Sequence, residues 1–164
     1  IIHGYLSLDN ILLDENYYPK IKFPHSFTQI DKLYVATHLS NQKYLAPEIF
    51  NNEDFDSKID VYAFSILSYE IYTGKEAFYE FGKVENRVEI IKFRSKVIEY
   101  VRPKFPTKCP YEIRDFLSKC WDPEVDKRPS FDEIFHELLE NYAYLDVDTD
   151  EINMFAENVL KEEI

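Results

Sequence analysis

Apolar residues recur at helical spacing along most of this chain and gather into short extended runs only near its start. Val61, Phe64, Leu67 and Ile71 mark the strongest helix, and Tyr62, Ala63, Ile66 and Tyr69 fill so much of the remaining circumference that burial on most sides is expected. Ser57 with Asp60 predicts a capping box at its start, and Gly74 a stop at its end. Val88, Ile91, Val97 and Val101 predict a surface helix, or a pair, between Val84 and Tyr100. The run Arg102-Pro103-Lys104-Phe105-Pro106 breaks it. Pro110 suits the first turn of a helix reaching about Trp121, and Ser130 with Glu133 opens another through Leu139. Asp148 and Glu151 predict a tail helix with Ile152, Phe155, Val159 and Leu160 on one face. Upstream, Ile11 to Asp14 and Lys20 to Phe23 flank a turn containing Asn16 and Pro19, the pattern of a short β-hairpin. The stretch that follows, to about Tyr44, reads as surface loop. The fold class is mainly α with one short hairpin near the N-terminus.

Composition narrows this. With 164 residues and 45% hydrophobic content the chain can bury one core, hiding roughly two-thirds of its unfolded surface. The 13 Tyr and 13 Phe supply large packing units. A formal charge of −12 repels phosphate backbones, which excludes nucleic acid as an expected partner. No apolar run is long enough for a membrane span, and a cytoplasmic protein is expected. Cys109 and Cys120 make no disulfide framework, and Cys120, beside Phe116, Leu117 and Trp121, reads as a buried thiol. The four histidines lack metal-ligand spacing. An opening Ile in place of Met points to a piece of a longer chain or an incomplete reading frame.

Several short motifs then occur in a telling order. His3-Gly4-Tyr5-Leu6-Ser7-Leu8-Asp9-Asn10-Ile11-Leu12-Leu13 is followed by Ala46-Pro47-Glu48 and by Asp60-Val61-Tyr62-Ala63-Phe64-Ser65-Ile66-Leu67. Cys120-Trp121-Asp122-Pro123 and Arg128-Pro129-Ser130-Phe131 come last. Together they resemble the large lobe of the protein kinase family, and the closing motifs most resemble its tyrosine-kinase-like group. The resemblance covers residues 1–140, beginning just before the catalytic loop. It implies a catalytic-loop remnant at 1–14, an activation segment at 23–48 and a helical core at 57–140, with 141–164 an acidic tail. The lobe that normally clamps the nucleotide, and the helix preceding the loop, fall outside the chain. An apolar groove left open is the expected result.

The resemblance also implies roles, and several have lost their chemistry. The general-base position holds Tyr5, whose phenol, with an ordinary pKa of ~10, keeps its proton at neutral pH. Gly4 stands for the Arg that reads an activating phosphate, and Ser7 for the catalytic-loop Lys. Asp9, four residues from the base position, should point elsewhere. Phe23 occupies the place of the metal-binding Asp, followed by Pro24 and His25, and offers magnesium no oxygen. Asn10 matches the second metal ligand, for which a loop hydrogen bond is now the better reading. His3 resembles a packing histidine, Asp60 the central-helix Asp that accepts backbone hydrogen bonds from the loop, and Glu48 with Arg128 a buried ion pair. Thr28, Tyr34, Thr37, Ser40 and Tyr44 offer hydroxyls for phosphorylation in the segment.

The expected function is therefore that of a catalytically impaired kinase fragment, a pseudokinase serving as an interaction or scaffold module for protein partners, with no cofactor of its own. The alternative is a divergent active Ser/Thr or Tyr kinase using ATP and Mg²⁺, with its nucleotide-clamping lobe outside this chain. A decayed or truncated gene product is the third reading. Upstream sequence carrying a Gly-rich loop, a strand Lys and a helix Glu distinguishes a fragment from a truncation.

Overall fold

The computed structural model of the chain describes residues 2–23, 39–51, 54–82, 84 and 86–141. The expected tail helix, and the segment positions Pro24, His25, Thr28, Tyr34 and Thr37, lie outside the described residues. The architecture is mainly helical with a two-stranded antiparallel hairpin near the N-terminus.

Strands β1 (Ile11–Leu13) and β2 (Pro19–Ile21) pair with Ile11 opposite Ile21 and Leu13 opposite Pro19. Asp14 shapes the connection, since its Oδ1 accepts the Asn16 and Tyr18 N–H groups, both at 2.9 Å. Leu12, Leu13 and Ile21 are half or more exposed, so the hairpin keeps apolar surface uncovered among the described residues. A 3₁₀ turn at Leu39–Tyr44 leads to the short helix α1 (Pro47–Phe50), with Pro47 in its first turn, where a missing N–H costs no bond.

Helix α2 (Lys58–Thr73) forms the axis of the core. Ile59, Val61, Tyr62, Ala63, Ile66, Leu67 and Tyr69 are all buried, each of the larger ones contributing roughly 1.5–3 kcal/mol. Ile71, expected on the buried face, is instead 63% exposed. The capping box expected from Ser57 and Asp60 does not form. Ser57 has helical backbone angles and makes no side-chain cap; Asp56 accepts the Lys58 N–H at 2.8 Å instead. Asp60 is drawn away to the N-terminal loop. Gly74 ends the helix at φ 63°, a left-handed conformation that strains any side chain, with its N–H on the Glu70 carbonyl.

Helix α3 (Arg87–Ile98) is a single helix, capped by Asn86 and Glu89 in a reciprocal box that the apolar pattern did not signal. Its buried face is Ile90, Phe93 and Val97; Val88 and Ile91 point to solvent. The aromatic cluster of Phe78, Phe81 and Phe93 decides the orientation, because Phe93 meets Phe78 edge-on at 5.1 Å. Helix α4 (Tyr111–Cys120), with Pro110 just outside as its N-cap residue, packs on α2 through Ile113, Phe116 and Leu117. Helix α5 (Phe131–Glu140) begins with the Ser130–Glu133 capping box and buries Ile134. No helix among the described residues is long and apolar enough to cross a membrane.

Candidate functional site

The loop His3–Asn10 is pinned to the start of α2 by one carboxylate. Asp60 Oδ2 accepts the His3 N–H at 2.6 Å and Oδ1 the Gly4 N–H at 2.8 Å. Burial holds this carboxyl above its ordinary range, against the pull of the two N–H groups. Gly4 lies at φ 70°, where the absence of a side chain removes the strain. Its N–H can therefore face Asp60.

The His3 ring ties the same loop to the end of β2. Its Nδ1 accepts the Tyr5 N–H at 3.1 Å, which leaves Nε2 to donate to the Lys22 carbonyl, also at 3.1 Å. The Phe23 ring lies against His3 with centroids 4.9 Å apart. Asn10 turns inward, and its amide donates to the Tyr5 carbonyl at 2.8 Å and to Ser7 Oγ at 3.2 Å. Ser7 is fully buried, while Asp9 faces solvent on the 3₁₀ turn Leu8–Asn10. The structure thus brings His3, Tyr5, Ser7, Asn10 and Asp60 into one hydrogen-bonded corner, with the Phe23 ring packed on His3 beside it. Among the described residues no group of three or more His, Cys, Asp or Glu side chains could hold a metal ion.

Across from this corner sits the end of the segment. Tyr5 and Leu6 face Tyr44, Leu45 and Ile49 around a small apolar cavity closed by Ala63. Tyr44, one of the hydroxyls expected to be open to phosphorylation, is buried, and its Oη donates to Glu70. Desolvation and the adjacent Glu70 carboxylate both push the Tyr44 phenol well above its usual range.

Glu48 and Arg128 meet farther below. The guanidinium engages both carboxylate oxygens, at 2.7 and 3.0 Å, and both side chains are almost fully buried. Arg128 also donates to the Asp122 and Lys58 carbonyls, and the Lys58 ammonium returns a bond to the Arg128 carbonyl. Every charge in this group has partners, which a buried pair requires.

The sequence reading missed a second anchor. Glu70 accepts from Lys43 Nζ at 2.7 Å, the Ala77 N–H at 2.7 Å and the Tyr44 hydroxyl, joining the segment, α2 and the following loop. Arg94 of α3 donates to Gln42 at 2.8 Å and lies over the Phe50 ring. A usable signal existed: an acidic residue in the midst of a helix read as buried on most sides needs donors.

Comparison with known proteins gives the family of the chain. A family described as protein tyrosine and serine/threonine kinase matches residues 1–138. A protein of Acanthamoeba polyphaga mimivirus named as a serine/threonine-protein kinase/receptor is 35% identical over 82% of the chain, which covers 8% of that protein. Dual specificity protein kinase shkE of Dictyostelium discoideum is 33% identical over 85% of the chain, and shkC of the same organism 32% over 93%. The chain spans 20% and 29% of those two. The family match runs over most of this chain, which spans less than a third of the length of these relatives, and the chain belongs to the protein kinase family.

Proposed function

We propose that this chain is the large-lobe portion of a degenerate protein kinase, one that acts in signalling by binding other proteins instead of transferring phosphate. The observation that carries the reading is Phe23. At the position where the family resemblance calls for a metal-binding carboxylate, a hydrocarbon ring packs on His3. Magnesium seeks carboxylate and phosphate oxygens, and a phenyl ring has none to give. At the second ligand position the Asn10 NH2 group is held by Tyr5 and Ser7, and its one neutral amide oxygen is a feeble site for magnesium without a carboxylate beside it. A magnesium nucleotide does not fit this donor set, and no phosphoryl-transfer step follows from it.

Two further positions support the reading. Tyr5 stands where a proton acceptor belongs, and Ser7, fully buried, where a cation belongs. The contacts that hold the architecture are present beside them: Asp60 on the loop, and Arg128 on Glu48. A scaffold kept without its chemistry suits a docking role, for protein partners in the cytoplasm. The acidic balance of the chain disfavours nucleic acid.

A divergent active kinase is the second reading, favoured by the kinase names of the relatives and by the solvent-facing Asp9 carboxylate. The deciding experiment uses the whole polypeptide that carries this chain. Thermal unfolding is followed with and without ATP and magnesium, alongside transfer of labelled γ-phosphate to itself and to generic peptide substrates. The pseudokinase reading expects no magnesium-dependent shift and no incorporated label. Label that disappears in an Asp9→Asn variant would establish the active reading instead.

A further inference from the structure

Beneath α2, the Tyr62 ring lies between two guanidiniums, with Arg102 Cζ 5.3 Å and Arg128 Cζ 5.4 Å from its centroid. Arg128 is neutralised by Glu48. Arg102 has no carboxylate partner among the described residues. Its Nε donates to the Trp121 carbonyl at 3.0 Å, and its Nη1 to the Val97 and Val101 carbonyls, each at 3.0 Å. Val97 lies in the last turn of α3, and Trp121 directly follows α4. Each helix end carries about half a negative charge, so the two ends offset part of the guanidinium's charge without an anion.

Two atoms remain. Arg102 Nη2 and Tyr62 Oη are both shut off from solvent, and neither has a hydrogen-bond partner among the described residues. A buried N–H or O–H left unpaired is costly, and native interiors fill such places with ordered water. Burial pushes the Tyr62 phenol up to about 12, so it takes part as a neutral hydroxyl. The guest must accept from Nη2 and exchange a bond with that hydroxyl. Because three carbonyls already face the guanidinium, a neutral guest that accepts from Nη2 suffices.

We infer that Tyr62 Oη and Arg102 Nη2 hold one structural water, which ties the loop 101–106 to the central helix. A water accepts from the guanidinium and donates to or accepts from the phenol, so it serves both orphaned atoms at once. The site is separate from the His3–Asn10 corner and does not depend on whether the protein transfers phosphate.

Crystals of the chain grown in sodium bromide test this directly. The expected result is a single peak within about 3.2 Å of both atoms, without anomalous signal. An empty site overturns the proposal, and so does an anomalous bromide peak there. Two variants give an independent reading in solution. Tyr62→Phe keeps the ring and removes only the hydroxyl; Arg102→Lys keeps the charge and removes Nη2 together with the Nε and Nη1 donors, so its loss is an upper bound and Tyr62→Phe decides. Each is expected to raise the unfolding equilibrium constant about tenfold, or ~1.4 kcal/mol. A Tyr62→Phe protein at least as stable as its parent means the hydroxyl had no guest, and the proposal falls.

Discussion

Arg128 grips both carboxylate oxygens of Glu48 across eighty residues of chain, joining the start of α1 to the turn that precedes α5. The pair has little access to water, so the two single variants and the double variant should differ sharply. Either single change, Glu48→Leu or Arg128→Met, leaves a buried charge without its partner and is expected to cost about 3–5 kcal/mol. Replacing both partners together, as Glu48→Leu with Arg128→Met, should cost much less than the sum of the single changes. Urea unfolding of the four proteins measures the coupling. A double variant that costs as much as the two single changes added together would show that the pair is not interacting as described.

Asp60 offers a test with a defined sign. Asp60→Asn cannot accept from both the His3 and Gly4 N–H groups, and a loss of about 1–3 kcal/mol is expected. Burial raises the carboxyl above its ordinary value of 3.8, so the folded chain holds that proton more tightly than the unfolded one. The Asp60 contribution is then fully present below the unfolded value and falls as pH rises through the folded one. The stability difference between parent and variant should shrink as pH rises from about 4, then level off. A difference that grows with pH in this window contradicts the assigned shift.

Tyr17 and Tyr44 should differ in chemical reach. Tyr17 is 81% exposed at the hairpin turn, whereas Tyr44 is 5% exposed and bonded to Glu70. Tetranitromethane, which attacks phenolate, is expected to modify Tyr17 early and to spare Tyr44 until the protein unfolds. Peptide mapping by mass spectrometry after graded exposure reads this out. The same protection predicts that a tyrosine kinase acting in trans leaves Tyr44 unmodified in the native protein.

Cys120 reports on global opening. Its side chain is fully buried, and burial pushes the thiol up to about 12. Reaction with a disulfide reagent at neutral pH should proceed no faster than unfolding, and should accelerate in step with added urea. A fast phase that is lost in Cys120→Ser would show the residue to be accessible.

The parts of this fold open to sequence reading are those governed by local rules. The Ser130–Glu133 box, the Gly74 stop and the hairpin around Asn16 need only neighbours within a few residues. Where local and distant partners compete, local rules mislead. Asp60 has the spacing of a capping residue relative to Ser57, yet two loop N–H groups from the other end of the chain claim it. The exposed stripe Val88–Ile91 and the buried stripe Ile90–Phe93–Val97 fit helical spacing equally well. Only the waiting Phe78 and Phe81 rings choose between them. The corner around His3 was approachable through family resemblance, whereas the donors on Glu70 come from three separate stretches that no spacing rule connects.

The span of these contacts bears on how the protein is made. On a ribosome, Glu48 emerges long before the arginine that neutralises it, and the amides of His3 and Gly4 precede their acceptor by more than fifty residues. A nascent chain halted short of Arg128 therefore carries an unmatched acid that favours staying in water over closing the core. Such stalled products should be soft targets for proteases, and acquisition of resistance should coincide with emergence of the stretch around Arg128.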